Sequence, residues 1–358
     1  MAIAVIRSEV YIASMVALPA RILCSSGAAA NANEPRAWVL HDGKAGMRSQ
    51  ALGLAEATGC SFVEKPLSVH PPWSILPPQL WLLSGYAVLG GKSLLAPPWP
   101  DFVIACGRNT VLPALMIRRA SGGRTFLAHI QDPRVRRSEF DLIVAPEHDR
   151  LRGPRVIVTR GAVHRVTAAR LEAERHRFPA LTELPRPIIA VLIGGPNKAF
   201  RLTLKRLAEI ADALAALLSE NGGSLLLTPS RRTGARGTAI LRGRLGGFPG
   251  AIWDGSGNNP YFAYLALADA LLVTADSVSM ISEAAATGKP VHIFDLDGGN
   301  AKFSRFHAAM QAAGITRPFA GRIESWSYPL QDDTARAGDA LRKLVLARTG
   351  TRQPDEGR

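Results

Sequence analysis

The chain has 358 residues, 47% of them hydrophobic and 20% charged, and 43 Lys and Arg against 29 Asp and Glu leave a formal net charge of +14. At roughly 150 residues per domain this length suits two globular domains with ample core. The cationic excess favours anionic partners, nucleotides or an acidic lipid surface. No RNA-recognition, zinc-finger or helix-turn-helix signature accompanies it, so nucleic acid is not an expected partner.

Residues 1–36 read as a disordered or mis-assigned extension. Their apolar stretch at 10–20 is broken by Pro19 and flanked by Glu9 and Arg21, which suits an export signal poorly. Cys24, Cys60 and Cys106 are widely spaced, which argues against a disulfide framework or thiolate metal site and fits a reducing, cytoplasmic compartment. From Ala37 short apolar runs alternate with helical stretches, the pattern of a parallel sheet covered by helices. Strands are predicted at 37–41, 60–64, 101–106, 124–130, 140–145 and 155–159, with helices at 46–58, 109–119 and 167–177. They form an N-terminal Rossmann-like acceptor domain over 37–180. The apolar, proline-rich segment 69–91, with Trp73 and Trp81, breaks the rhythm and reads as a lid or a membrane-resting patch.

The turn His41-Asp-Gly-Lys-Ala-Gly-Met-Arg-Ser-Gln50 joins the first strand to the first helix. Gly43 and Gly46 permit a tight turn, Lys44 sets a cation at the helix N-terminus, and His41 or Asp42 is the candidate general base. Cys106-Gly-Arg108 repeats the theme at the next strand end, with Arg108 as a further phosphate contact, and so does Gln131-Asp-Pro133. Pro146-Glu-His-Asp149 gathers three ionisable groups, either an acid/base site or a polar turn.

The proline-punctuated stretch 178–187 reads as a hinge. Beyond it, strands at 188–193, 224–228, 250–253, 270–274 and 290–294 alternate with helices at 201–219, 234–245, 260–268, 277–286 and 303–313. This second Rossmann-like domain, 187–320, is the expected nucleotide-sugar domain, and 321–358 holds a terminal helix, predicted at 334–347, and a tail. Four polar loops end its strands. Gly194 and Gly195 lie in the first, Ser230, Arg231 and Arg232 in the second, where two arginines can pair a diphosphate. Asn259 and Tyr261 lie in the third.

The fourth, Val273-Thr-Ala-Asp-Ser-Val-Ser-Met-Ile-Ser-Glu-Ala-Ala-Ala-Thr-Gly-Lys-Pro-Val291, is the most informative. It reads as strand end, polar turn, short helix, glycine stop and new strand. Asp276 or Ser277 caps the helix; Val278, Ile281 and Ala285 share its sheet-facing side; Ser279 and Glu283, four apart, share another. The free N–H groups at such a helix start suit a phosphate, and a carboxylate one turn further in suits ribose hydroxyls. The plain alternative is a capped helix with a solvated Glu283. Asp295-Leu-Asp297 imitates a metal-binding DxD but reads as a helix-entry turn, so no metal is expected. Gly91-Lys-Ser93 lacks the first glycine of a P-loop, and YxxxK, GxSxG and HExxH patterns are absent, leaving dehydrogenase, hydrolase and zincin readings without support.

Taken jointly, these loops resemble the elongated-mitochondria fission-protein family, whose bacterial members are GT-B glycosyltransferase-like. The matching stretches are 41–50, 106–108, 131–133, 146–149, 194–196, 230–233, 259–261 and 273–291, which span most of residues 37–321. The resemblance implies an α/β fold of two Rossmann-like domains facing across a cleft. It puts Glu283 on ribose and Ser277 and Ser279 near the diphosphate, as in the lipid-linked N-acetylglucosamine transferase of peptidoglycan synthesis. The implied activity is sugar transfer from a nucleoside diphosphate donor, with an anionic membrane surface or a lipid-linked acceptor as the candidate partner, at the cytoplasmic side of the inner membrane. Such transfer needs no redox cofactor, since arginines and helix dipoles stabilise the departing diphosphate. A nucleotide-sugar 2-epimerase and a non-catalytic peripheral membrane adaptor are the alternatives.

Overall fold

The computed structural model describes residues 22–23, 34–71, 73, 76 and 95–350. In chain order they form β1 (Ile22–Leu23), β2 (Arg36–His41), α1 (Ala45–Thr58), β3 (Ser61–Pro66), β4 (Phe102–Cys106), α2 (Val111–Ala120), β5 (Phe126–Ile130), β6 (Leu142–Pro146), β7 (Val156–Thr159) and α3 (Ala168–Arg177). There follow β8 (Ile188–Ile193), β9 (Phe200–Arg201), α4 (Leu204–Asn221), β10 (Ser224–Pro229), α5 (Gly234–Leu245), β11 (Gly250–Ile252), α6 (Tyr261–Leu267), β12 (Ala270–Thr274) and α7 (Val278–Ala285). The chain continues through β13 (Val291–Phe294), β14 (Asp297–Gly298), α8 (Ala301–Ala312), β15 (Thr316–Pro318) and α9 (Asp333–Gly350).

Two sheets carry the fold. The first runs β1-β3-β2-β4-β5-β6-β7 and is parallel except for β1; the second runs β11-β10-β8-β12-β13-β15 and is parallel throughout. Their central strands explain the choice. All six residues of Ile188–Ile193 and all five of Phe102–Cys106 are apolar and buried, so each strand needs helices on both faces. Helix α4 supplies one such cover: Leu207, Ile210, Ala211, Leu214, Leu217 and Leu218 recur at helical spacing on its buried face. Thr203 starts it by accepting a bond from the Arg206 N–H at 3.1 Å.

The terminal helix α9 crosses back to the first sheet and lies on α1. Ala337, Leu341 and Val345 join Ala51, Leu54 and Ala55 in one core. Gly338 lets the two backbones approach, because a Cβ there would lie 2.5 Å from that of Ala57.

Within the segment 1–36, Ile22 and Leu23 pair antiparallel with Val63 and Phe62 at the sheet edge. One expectation needs correction. Asp297 is not a helix-entry residue. It pairs with Arg201 in a two-stranded ribbon, and Asn300 starts α8 by accepting from the Lys302 and Phe303 N–H groups. Apart from residues 69–71, 73 and 76, segment 69–91 lies outside the described residues, Trp81 included. Among the described residues no helix is long and apolar enough to cross a membrane.

The packing predicts opposite outcomes for two glycine substitutions. Gly338→Ala gains helix propensity but overpacks the α1–α9 contact, and should cost about 1–3 kcal/mol. Gly243→Ala, in open space on α5, should instead stabilise by about 0.5–1 kcal/mol. Urea melts of both variants check the pair of signs.

Candidate functional site

The site lies where the carboxyl ends of the two sheets meet. On the first half, the turn after β2 is closed by Gly43 at φ +74°, a conformation that favours glycine, with its N–H donating to His41 Nδ1 at 3.1 Å. The other ring nitrogen, Nε2, meets Glu64 Oε1 at 2.8 Å. Arg48 adds a bidentate grip on Glu64 at 2.6 and 2.9 Å. Burial alone would raise the Glu64 pKa, but the His41 and Arg48 hydrogen bonds prevail and hold it at about 2. Both nitrogens of His41 are therefore occupied and its ring is buried. His41 orients the turn and is not placed as a base. The Asp42 side chain is buried beside it and paired with Lys44.

On the second half Asp276 fastens three loops. It accepts from the Gly195 N–H at 3.0 Å and the Thr274 hydroxyl at 2.7 Å, and pairs with Arg232 at 2.8 Å. Arg232 also donates to the carbonyls of Gly195 and Pro196. Ser230 and Thr233 both donate to the Gly194 carbonyl, at 2.7 and 2.6 Å. A Cβ on Gly194 would collide with the Asp276 carboxylate, and one on Gly195 would sit 2.5 Å from Arg232. These glycines are thus demanded by close packing. Arg232, expected to face a diphosphate, is paired with Asp276 and braces the Gly194–Pro196 loop. Arg231 is exposed and reaches across to the first half, donating to the Gly43 carbonyl at 3.2 Å. Arg108 is exposed just after β4.

Of the two cap candidates for α7, Ser277 takes the role, accepting from the Met280 N–H at 3.3 Å. Ile281 and Ala284 are the fully buried sheet-facing residues, while Val278 and Ala285 pack at the margin of the core. The other face is not solvated. Glu283 is 5% exposed, with Oε1 receiving the Ser49 hydroxyl and Oε2 the Tyr261 hydroxyl, each at 2.6 Å. Ser279 receives the Gln50 amide at 3.2 Å, and Gln50 in turn accepts from Gln131 at 3.1 Å. Burial raises the pKa of Glu283 against the pull of the two hydroxyls, and raises that of Tyr261 well above its usual value. Asn259 shapes the entry to α6 by accepting from the Tyr261 N–H at 3.0 Å.

A second contact joins the halves. Lys302 pairs with Asp149 at 2.5 Å, Arg305 donates twice to the His148 carbonyl, and the His148 ring stands edge-on to Phe306 at 5.2 Å. Burial pulls the His148 pKa down to about 4. Pro146-Glu-His-Asp149 is accordingly a docking turn. Arg48, Ser49 and Gln50 lie in the 41–50 motif, but nothing local gave them a role or marked Glu64, because their partners lie elsewhere in the chain. Among the described residues no group of three or more His, Cys, Asp or Glu side chains is placed to hold a metal ion.

Comparison with known proteins identifies the family and the fold. The mitochondrial fission ELM1 family model matches residues 45–345. Mitochondrial fission protein ELM1 of Arabidopsis thaliana is 35% identical over 277 residues, 70% of this chain and 65% of the plant protein. This chain therefore spans less than two thirds of that relative. An uncharacterized protein of Rickettsia prowazekii is 27% identical over 85% of this chain and 97% of its own length. Among solved structures, the UDP-GlcNAc 2-epimerase of Methanocaldococcus jannaschii in complex with UDP-GlcNAc and UDP superposes with a TM-score of 0.51. The match is at 13% identity and covers 87% of this chain and 99% of the epimerase. The likeness places the chain in the GT-B fold.

The Glu64 cluster sets an acid limit. A carboxyl with a depressed folded pKa contributes stability that is complete above its ordinary value and is lost as pH falls toward about 2. Wild type should exceed Glu64→Gln in urea resistance at pH 7, and the gap should close steadily below about pH 4.5.

Proposed function

The chain belongs to the mitochondrial fission ELM1 family, and from that premise we propose that its cleft binds a nucleoside diphosphate sugar and transfers the sugar to an acceptor on the first half. One observation carries the reading. Glu283, one turn beyond the N-terminus of a helix that follows a strand end, is bound by hydroxyl donors alone, the chemistry a ribose diol offers. The N–H groups at the start of α7 suit the diphosphate, and Arg231, which reaches across to the first half, adds charge to the leaving group. On the opposite half Asp42, whose carboxylate is paired with Lys44, is the residue assigned to take a proton from the acceptor once that pair opens. The related fold of an epimerase crystallised with UDP-GlcNAc and UDP supports this class of ligand. A lipid-linked acceptor at an anionic membrane surface is in keeping with the +14 charge.

A second reading draws on one observation: the face of α7 meant for ribose is covered by α1. A cleft shut for good leaves a GT-B fold serving as a non-catalytic adaptor. Titration calorimetry separates the two. Under the transferase reading UDP binds, and Glu283→Gln weakens it by about 1.5–3 kcal/mol, the worth of a hydrogen bond to a charged group. Arg231→Ala should weaken UDP far more than uridine, since its partner is phosphate charge. Absence of heat with UDP and other nucleoside diphosphates leaves the adaptor. Turnover of UDP-GlcNAc without any acceptor marks an epimerase.

A further inference from the structure

We propose that Ser49 is a built-in stand-in for the nucleotide: its hydroxyl occupies on Glu283 the place of a ribose hydroxyl, so that the cleft closes on itself and a nucleotide enters only by displacing α1. The inference rests on the reading of Glu283 as the ribose carboxylate.

Both oxygens of Glu283 are filled by hydroxyls, one from its own half (Tyr261) and one from the opposite half (Ser49), and 5% of the residue is exposed. Between α1 and α7 there is no room for a ligand. A Cβ on Gly46 would already lie 3.0 Å from Ser279 Oγ, and Gln50 donates to that same oxygen at 3.2 Å. The bonds that hold α1 here come from a hydroxyl and an amide, so a ligand diol can replace the Ser49 bond one for one, without orphaning the buried carboxylate. The contact of Asp149 with Lys302 and of His148 with Phe306 is ionic and aromatic, and a ribose could not replace it. Together with the bond from the Ala162 N–H to Ser282 Oγ at 2.9 Å, which also ties α7 to the first half, it serves as the pivot, and the α1–α7 contact as the latch. Apparent affinity is then the intrinsic affinity discounted by the open fraction.

The test uses the full chain with Ser49→Ala, and Ser49→Thr as the variant that keeps the hydroxyl. Hydrogen exchange is followed at 45–58 and 278–285, and UDP is titrated by calorimetry. The latch predicts faster exchange at both helices in Ser49→Ala, UDP binding tightened about tenfold, and wild-type behaviour in Ser49→Thr. Unchanged exchange in Ser49→Ala overturns the latch whatever UDP does. UDP binding that Glu283→Gln weakens but Ser49→Ala fails to tighten overturns it too, while leaving the nucleotide reading in place. Faster exchange with no UDP binding in any variant overturns the nucleotide reading and, with it, the stand-in.

Discussion

A carboxylate removed from water must be held by donors, and Glu283 is held by one from each half of the molecule. Much of the site's geometry follows from that requirement. Helix α1 is drawn against α7 until Ser49 can reach Oε1. Gly46 eases that approach, since a Cβ there would crowd Ser279 Oγ at 3.0 Å, and the approach brings Gln50 onto Ser279. Helix α1 is in turn fixed from behind by α9, through the close backbone contact at Gly338 and Ala57. The terminal helix thus bears on the cleft without touching it.

A second buried carboxylate, Asp276, plays the matching part within the nucleotide half. It ties the end of β12 to the loops after β8 and β10, and draws Arg232 away from the role a cation at that place suggests. The result is a stiff frame of backbone around the α7 N-terminus, with the charge of Arg231 left at the mouth. The Gly194 and Gly195 N–H groups of this frame are taken by Thr274 and Asp276, which leaves those at the start of α7 for an anionic ligand.

The fold was legible where physical cause is local. Six consecutive apolar residues at 188–193, rich in Ile and Val and preceded by Pro185 and Pro187, favour a strand covered on both faces, and strands 188–193 and 270–274 and helix 234–245 fall where the pattern puts them. The cap at Ser277 was legible as one of two choices, since either side chain can reach the free N–H groups. What was not legible depends on distance along the chain. Ser49 and Glu283 are 234 residues apart, and helical spacing shows only that Glu283 leaves the sheet-facing side, not that another helix covers it. Arg232 and Asp276 are 44 apart, and each looks like a ligand residue until it meets the other. His41 looked like a base for the same reason, before Glu64 and the Gly43 N–H took its two nitrogens. Two-residue strands such as β9 and β14 are too short to show any period.

An enzyme and an adaptor of this fold differ less than their names suggest. In both, hydrogen bonds across the cleft decide whether the two halves move as one body, and the energy of those bonds is small enough for a ligand to offset. A hydroxyl on a buried carboxylate contributes about 1.5–3 kcal/mol, which a diol and a diphosphate together can match. If the latch yields to nucleotide, binding is read out as a change in how α1, and α9 behind it, sit on the second half. That change would be available to an acceptor in a transferase and to a partner surface in an adaptor. The question of function therefore reduces to one exchange at one carboxylate: whether the Ser49 hydroxyl can be replaced on Glu283 by a hydroxyl that comes from outside the chain.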